Sequence, residues 1–288
     1  MRISSLFEQK KTVLSFEVFP PKRTSPIETI YQTLEELKSL KPDFISVTYG
    51  AGGNAGDTAT SDIATAIKHR YGIEPLAHLT CVNDTKQEIS MVLDRLERNG
   101  VENILALRGD MNLNIPPKRE FRYAGELVEY IRKRGGFHLS GACYPEGHID
   151  ASSLEEDILM LKQKVDAGVE HLISQLFFDN GFFYSFLDRA RAAGITVPIE
   201  AGIMPVTNKA QIERMVTLCG ASLPSKFAKM MQRFEHSPEA LRDAGIAYAV
   251  DQIVDLISQG VEGIHLYTMN NPYVAGRITE CISGLIQA

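Results

Sequence analysis

The chain has 288 residues, of which 44% are hydrophobic and 23% charged, with a formal net charge of −6 at pH 7. That length suffices for a substantial core in one large α/β barrel or in two ordinary domains. The acidic balance argues against a nucleic-acid-binding surface, and no apolar run reaches the roughly 18 to 20 residues that span a membrane. The N-terminus, MRISSLFEQKK, lacks the apolar core of a signal peptide, so we expect a cytoplasmic protein.

The cysteines and histidines do not form the patterns of a metal or disulfide protein. Cys81, Cys143, Cys219 and Cys281 are far apart and contain no CxxC pair, which favours reduced thiols. No second histidine or carboxylate accompanies His78 at ligand spacing in its strand, so we expect no bound metal.

Strand-like and helix-like segments alternate along the whole chain. The predicted strands cover residues 13–19, 44–49, 75–81, 103–108, 138–144, 171–178, 198–204 and 263–269. The predicted helices cover residues 27–40, 63–70, 86–99, 125–134, 154–167, 183–193, 209–219, 238–259 and 273–286, with a short extra helix at 225–234. No strand is followed by a dinucleotide or P-loop glycine motif. Eight strand-then-helix units predict an α/β protein, a (β/α)8 TIM barrel formed by one domain over residues 1–288, rather than an open doubly wound sheet.

Two predicted strands carry charged side chains near their carboxyl ends. Glu17 lies in SFEVFPP, just before the two prolines that end the first strand. A buried carboxylate there must be hydrogen-bonded or protonated, and we expect burial to raise its pKa, as a general acid requires. The fourth strand ends in Arg108-Gly109-Asp110, where the glycine allows a turn or a close approach to a ligand. A structural ion pair is the alternative at both places.

Other polar side chains fall where the working residues of such a barrel lie, at strand ends and in the loops that follow. His78 and Gln175 lie within predicted strands, and Tyr144 ends one of them. His78 is either catalytic or a hydrogen-bonded core residue, and Tyr144 either stacks on a ring or fills the mouth. Asp157 and Lys164 share a helix face, which is either an exposed ion-pair face or a wall against a polar cofactor. Together these residues suit chemistry on a bound organic ring better than hydrolysis.

Nine segments, in order and spread over nearly the whole chain, resemble the methylenetetrahydrofolate reductase family in its short bacterial form. They are SFEVFPPK, ISVTYGAGG, AHLTC, ILALRGD, YPEGH, LKQKVDAG, ISQLFFD, AGIMPV and LYTMN. The resemblance implies a (β/α)8 barrel that holds FAD noncovalently and works in two half-reactions. NADH or NADPH reduces FAD and leaves, and 5,10-methylenetetrahydrofolate then accepts a hydride to become 5-methyltetrahydrofolate.

The resemblance also implies roles for individual residues. Glu17 matches the general acid that protonates the leaving nitrogen of the folate, and Asp110 matches a carboxylate beside the flavin pyrimidine that also contacts the pterin. The positions that match substrate contacts are Thr48, Asp110, Gln175 and Gln211. The positions that match FAD contacts are Tyr49, Ala51, His78, Arg108, Gly109, Asp110, Ala124, Tyr144, His148, Ala151, Asp157 and Lys164. By charge, Arg108 and Lys164 are the natural partners of the diphosphate.

Four positions depart from the family pattern. Met160 and Gln163 stand where the resemblance leads us to expect Asn and a basic residue on the cofactor side. Met215 stands where a Phe is expected against the nucleotide, and Asn271 where an Arg is expected near the folate. These positions bear on FAD binding, on contacts to the folate tail and on the choice between NADH and NADPH.

Three alternatives stay open at this stage. Another FAD-dependent barrel oxidoreductase, resembling proline dehydrogenase, should lack the carboxylate that this chain has as Glu17. A folate-binding or methyl-transfer barrel without flavin would be colourless and would not oxidise NAD(P)H, and an inert scaffold would make the polar mouth accidental. The family's bacterial members are commonly homo-oligomers, so we expect a homo-oligomer. An electron-transfer partner protein is conceivable, but no segment indicates one.

Overall fold

A computed structural model describes residues 1–21, 24–49, 58–110 and 118–287, without the side chains of Gln211, Arg214 and Leu218. Within these ranges, eight parallel strands form a closed barrel in chain order, with the last strand paired to the first. They are β1 (Val13–Val18), β2 (Phe44–Val47), β3 (Glu74–Thr80), β4 (Asn103–Leu107), β5 (His138–Cys143), β6 (His171–Ser174), β7 (Ile199–Ile203) and β8 (Gly263–Tyr267). The predicted (β/α)8 barrel is confirmed, and all carboxyl ends meet at one mouth.

The helices surround this barrel. They are α1 (Leu6–Gln9), α2 (Glu28–Lys38), α3 (Ala59–His69), α4 (Lys86–Arg98), α5 (Ala124–Arg134), α6 (Leu154–Asp166), α7 (Asn180–Ala192), α8 (Lys209–Cys219), α9 (Ser225–Phe234), α10 (Pro238–Ser258) and α11 (Pro272–Ile286). Apart from α1, each was predicted within a few residues of its bounds. No helix in the described part of the chain is both long enough and apolar enough to cross a membrane.

The prediction for the sixth strand is wrong at its carboxyl end, because β6 stops at Ser174 instead of residue 178. The backbone N–H of Gln175 still donates to the Cys143 carbonyl, but the N–H of Leu176 donates to the Gln175 side chain at 3.0 Å. The side-chain oxygen of Gln175 thus takes the place of a carbonyl on the neighbouring strand as the acceptor for Leu176. The apolar run continues because Leu176 and Phe178 pack in a second hydrophobic cluster with residues of α8 to α10.

A short N-terminal segment that the sequence did not predict closes the other end of the barrel. Residues 3–5 form a turn of 3-10 helix that leads into α1. Ile3 and Leu6 are buried in a cluster with residues from β1 to β4 and β6. The N–H of Ile3 also donates to Asn103 Oδ1 at 3.0 Å.

Alternation along β1 places apolar side chains outside the barrel and polar ones inside it. Phe16 and Val18 of β1 are buried in the large cluster beneath the helices. Ser15 and Glu17, on the other face of the same strand, point to His265 inside the barrel. The first strand therefore presents polar side chains to the interior and, at Glu17, to the mouth.

Candidate active site

A cavity of about 590 Å³ opens at the mouth of the barrel. The residues that line it come from the carboxyl ends of the barrel strands, from the loops that follow and from α8. They include these predicted site residues: Glu17, Thr48, Tyr49, His78, Arg108, Gly109, Asp110, Tyr144, His148 and Gln175. The strand ends thus bring together residues that lie up to 158 positions apart between Glu17 and Gln175.

A second cavity of about 480 Å³ lies between α5 and α6 and adjoins the first. The two share lining residues, including Arg108, Tyr144 and His148. The remaining predicted cofactor positions line the second cavity: Ala124, Ala151, Asp157 and Lys164. Ala51 lies outside the described residues. The two cavities together form an elongated cleft with a wide end at the barrel axis.

Glu17 lies between two imidazole rings at the inner end of the mouth cavity. Its Oε2 is 3.5 Å from His78 Nε2 and 3.6 Å from His265 Nε2, and its side chain is 18% exposed. Burial by itself raises the pKa of Glu17, but the contact with His265, the electrostatic effect of the two imidazoles and the contact with Ser46 outweigh it and leave the pKa lowered. The expected rise is therefore wrong for the protein without a ligand, because the sequence did not reveal the two imidazoles.

His78 is held in its neutral form at this place. Burial, more than any charge, lowers the pKa of His78 to about 4, although the Glu17 charge opposes this. Its Nε2 is buried and has no hydrogen-bond partner among the described residues. A neutral imidazole with a free nitrogen beside a carboxylate is a group that a ligand in the mouth can use.

The turn after β4 explains the Arg108-Gly109-Asp110 sequence. The Arg108 carbonyl accepts from the N–H groups of Cys81 and Val82, which ties this turn to the end of β3. Gly109 has φ +86°, and a Cβ there would lie 2.9 Å from the Thr80 Cβ. The glycine is therefore needed both for the backbone conformation and for the close approach.

Arg108 is paired with a loop residue and not with Asp110. Its Nη2 donates to Asp150 Oδ2 at 2.9 Å, and this hydrogen bond, followed by the Arg108 charge, lowers the pKa of Asp150. Asp110 is exposed at the wall of the mouth cavity. The structural ion pair that the sequence left open within this turn is not the one that forms.

The second cavity has charged groups in its wall and floor. Lys164 donates to the carbonyl of Ala142, a residue that lines both cavities, and burial lowers the pKa of this lysine. Burial raises the pKa of Asp157, against a backbone hydrogen bond from His148. Met160 and Gln163 line the same cavity, so two of the departures from the family pattern face this space.

Two of the remaining predicted substrate contacts line the mouth cavity, and the side chain of the third is not described. Thr48 lines the mouth cavity, where its carbonyl accepts from Thr60 Oγ1 at 2.9 Å. Gln175 also lines it, with Oε1 engaged by the N–H of Leu176, so its NH2 group carries the donors that a ligand can meet. Gln211 lies in α8, but its side chain is outside the described part of the structure.

The other two residues that depart from the family pattern, Met215 and Asn271, lie in different surroundings. Met215 lines the mouth cavity as an apolar contact. Asn271 is instead the N-cap of α11, where its side chain accepts from the N–H of Val274 at 3.2 Å. Asn271 therefore has a structural role at the start of α11.

A polar network that the sequence did not predict lies deeper inside the barrel. Ser15 Oγ is 2.6 Å from His265 Nδ1 and 2.9 Å from Glu200 Oε1. Glu200 Oε2 is 3.0 Å from His171 Nε2, and His171 Nδ1 is 2.9 Å from Ser140 Oγ. The sequence does contain a signal for this network, which is a single polar residue within an apolar strand. Glu200 in IEAGI and His265 in GIHLY are the two examples.

The closed barrel and the cleft define a (β/α)8 protein whose mouth contains a carboxylate between two imidazoles. The family model for methylenetetrahydrofolate reductase matches residues 2–283. A 5,10-methylenetetrahydrofolate reductase of Pectobacterium carotovorum subsp. carotovorum is 37% identical over 264 residues, covering 91% of this chain and 87% of the relative. The chain belongs to the methylenetetrahydrofolate reductase family.

Two further relatives and one solved structure are similar. The 5,10-methylenetetrahydrofolate reductase of Escherichia coli strain K12 is 38% identical over 260 residues, 89% of this chain and 86% of that one. Methylenetetrahydrofolate reductase (NADH) 1 of Arabidopsis thaliana is 34% identical over 284 residues, 93% of this chain and 48% of that one. A Clostridium thermocellum protein that binds two copies of 5-methyl-5,6,7,8-tetrahydrofolic acid shares the fold, with a TM-score of 0.68 at 12% identity and complete coverage of both chains.

Proposed function

We propose that this protein reduces 5,10-methylenetetrahydrofolate to 5-methyltetrahydrofolate with NADH or NADPH, through noncovalently bound FAD. The relatives that are named 5,10-methylenetetrahydrofolate reductases support the reaction, and the folate bound to the Clostridium thermocellum protein supports a pterin in a barrel of this kind. The name of the plant relative, a reductase that uses NADH, favours NADH as the reductant. The observation that carries the proposal is Glu17, a carboxylate that two imidazoles hold at the inner end of the mouth cavity.

The residues of the cleft fit FAD by shape and by charge. The turn at Gly109 leaves no room for a Cβ, which keeps the chain tight at the wall of the mouth cavity. Arg108 and Lys164 are the cations that would neutralise a diphosphate, and Gln163 would add a neutral donor on the same wall. Bound FAD would supply the hydride chemistry, and the barrel would supply orientation and electrostatics.

Glu17 would supply the proton that opens the five-membered ring of the folate. A group that protonates a leaving nitrogen must hold a proton when the substrate is bound. Without a ligand, the neighbours of Glu17 keep its pKa low and its remaining exposure lets water solvate the charge. A pterin that fills the mouth excludes this water, which raises the pKa of Glu17 and makes its acid form available.

Asp110 and Gln175 would orient the pterin. Its amide-like edge presents donors and acceptors side by side, which a carboxylate and an amide NH2 group can match. Both side chains line the mouth cavity, as does the neutral imidazole of His78. These contacts would hold the ring against the inner end of the cavity, where Glu17 lies.

The experiment that tests the proposal follows the visible spectrum of the purified protein without oxygen. We expect flavin bands that bleach with NADH or NADPH and return when methylenetetrahydrofolate is added. Bands that bleach without returning would favour the flavin oxidoreductase resembling proline dehydrogenase. A colourless protein that cannot be reconstituted with FAD would favour the flavin-free folate barrel.

Glu17→Gln separates the two half-reactions. We expect flavin reduction by NADH to stay near the wild-type rate, while folate reduction falls by about 100-fold or more because the acid is lost. The control is Glu35→Gln, the same change on the exposed face of α2, which should alter neither rate. Equal loss of both half-reactions in Glu17→Gln would contradict the role of Glu17 as the acid.

A further inference from the structure

Glu200 is a fully buried carboxyl group that has no part in the reaction as described above. It projects from β7 into the barrel, where Ser15 of β1 and His171 of β6 bind its two oxygens at 2.9 and 3.0 Å. A Cβ on Gly263 of β8 would lie 2.5 Å from the Glu200 Cγ. The side chain therefore occupies a space that only a glycine on the neighbouring strand leaves open, and both of its oxygens have partners.

The hydrogen bonds around Ser15 can be completed in two ways. Its single hydroxyl hydrogen lies between Glu200 Oε1 and His265 Nδ1. When that hydrogen is donated to His265, the O–H of a protonated Glu200 must donate to Ser15. When it is donated to Glu200, His265 must carry the hydrogen on Nδ1 and Oε1 of Glu200 is an acceptor without a proton. The two arrangements differ only in where the hydrogens lie along one chain of contacts.

The same chain reaches Glu17. His265 Nε2 is 3.6 Å from Glu17 Oε2 and 3.4 Å from Ser46 Oγ. The contact between His265 and Glu17 is long for a hydrogen bond, and such contacts in sites without a ligand tighten when the ligand binds. Glu200, Ser15, His265 and Glu17 thus form a line from the centre of the barrel to the mouth.

We propose that Glu200 stores the proton that Glu17 delivers to the substrate, and that Ser15 and His265 carry it between the two carboxyl groups. The transfer breaks the O–H bond of Glu200 and forms one on Ser15, while Ser15 gives its own hydrogen to His265 Nδ1. His265 releases the hydrogen on Nε2 to Glu17 Oε2. One proton moves in total, Ser15 and His265 end neutral, and Glu200 takes the negative charge that Glu17 loses. The inference rests on the proposed function, because only an acid role for Glu17 needs this proton.

Electrostatics favour this starting arrangement. Burial raises the pKa of Glu200 to about 8, against the His265 charge and the Ser15 hydrogen bond and with the help of the Asp43 charge. The pKa of Glu17 is lowered by its neighbours, so at neutral pH the shared proton belongs on Glu200. His171, the other partner of Glu200, has its pKa lowered by burial to about 3 and stays neutral.

The groups that face the mouth end of the line do not replace Glu200. His78 on β3 is neutral near pH 7, and Ser46 on β2 carries no ionisable proton in this range. Tyr267 on β8 donates its hydroxyl to the Ser174 carbonyl, and burial raises its pKa well above the usual value. Glu200 is therefore the proton source that the contacts around Glu17 lead to.

Glu200 touches no substrate and acts through other side chains, so it is a positioning residue for the Glu17 proton. Glu200→Gln keeps the size of the side chain and removes the proton that it can release. We expect folate reduction by the variant to fall about tenfold at pH 8 relative to pH 6, while the wild-type rate falls only about twofold, because a group with a pKa of about 8 is still half protonated at pH 8. Flavin reduction by NADH should be unchanged at both pH values. Parallel pH profiles for variant and wild type would overturn the proposal.

A second readout does not depend on activity. Infrared spectra of protein labelled with 13C-glutamate should show the carbonyl band of a protonated carboxyl group at pH 7, and the band should be absent in Glu200→Gln. Absence of the band in the wild type, or its persistence in the variant, would also overturn the proposal.

Ser15→Ala carries the test if Glu200→Gln does not fold. It interrupts the line but keeps Glu200, so the infrared band should remain while the pH profile changes as in Glu200→Gln. The matched control is Ser140→Ala, which removes a hydroxyl on the far side of His171 and should keep the wild-type profile. A wild-type protein that does not reduce methylenetetrahydrofolate contradicts the proposed function. If the wild type reduces methylenetetrahydrofolate and all variants show the wild-type pH profile, only the proposed storage of the proton on Glu200 is contradicted.

Discussion

The protonation of Glu17 depends on opposing influences, whose net effect is a lowered pKa. Burial disfavours its charge, and His265, His78 and Ser46 stabilise the charge. Such a balance is easily changed by a ligand that removes water or moves one imidazole by a few tenths of an ångström. The carboxyl group is therefore poised to change its protonation when the mouth fills, which a strongly buried or fully exposed carboxylate would not do.

Gly109 is needed both for its backbone conformation and for its close packing against Thr80. In Gly109→Ala, the alanine must adopt φ +86°, and its Cβ would lie 2.9 Å from the Thr80 Cβ. We expect the free energy of unfolding to fall by about 2 kcal/mol or more, since strain and a steric clash add. FAD retention should weaken as well, because the turn lines the mouth cavity. Urea unfolding and flavin release on dilution measure the two effects.

Gly72→Ala is the matched control for that change. Gly72 has φ +70°, but no atom lies within 4 Å of its missing Cβ. Gly72→Ala should therefore lower the free energy of unfolding by about 1 kcal/mol, from backbone strain alone, and leave flavin retention unchanged. Equal losses in the two variants would show that the Thr80 contact contributes nothing.

At single residues, the local sequence predicted position but not the partners that strand pairing brings together. The place of Glu17 near the end of a strand and the close approach at Gly109 were both predicted from short sequence segments. The Ser15 contact with His265 depends on the pairing of β1 with β8, which are 250 residues apart. No local pattern specifies that pairing, so the lowered pKa of Glu17 could not be predicted.

At the level of elements, long periodic helices and short apolar strands were predicted well. The error at the end of β6 arose because an apolar run shows burial without showing whether the partner is a sheet or a helix cluster. The N-terminal segment was missed because residues 3–9 are too few to show a helical period. Both errors concern segments whose partners are distant in the sequence.

The N-terminal segment should contribute measurably to stability. Ile3 is fully buried against strand residues inside the lower end of the barrel. We expect Ile3→Ala to lower the free energy of unfolding by about 2–5 kcal/mol, through lost burial and the cavity left behind. Ile149→Ala, at a side chain that is 66% exposed, should change it by less than about 0.5 kcal/mol. Urea denaturation compares them, and a loss in Ile3→Ala as small as in the control would show that the segment does not close the barrel in solution.

Across the whole molecule, the four cysteines lie in surroundings that differ in exposure to solvent. Cys81 and Cys143 are buried in the core, and burial raises the pKa of each thiol to about 12. Cys219 lines the mouth cavity, and burial raises its pKa to about 11, whereas Cys281 is exposed. The thiols therefore differ both in access and in the fraction of reactive thiolate.

We expect a thiol reagent to label Cys281 quickly, Cys219 slowly, and Cys81 and Cys143 only after unfolding. A ligand in the mouth should slow the labelling of Cys219 further and leave Cys281 unaffected, since only Cys219 lines that cavity. Mass spectrometry of labelled peptides measures each rate. Fast labelling of Cys81 in the native protein would mean that the barrel opens locally far more often than its packing implies.

The pairing of the first strand with the last has a consequence for the synthesis of the protein. Glu17 and its partner His265 are 248 residues apart, so Glu17 leaves the ribosome long before the imidazole that it meets. The two side chains can meet only after β8 has been made and has paired with β1. A chain that stops short of β8 would therefore carry Glu17 without its His265 neighbour and with an open ring of strands.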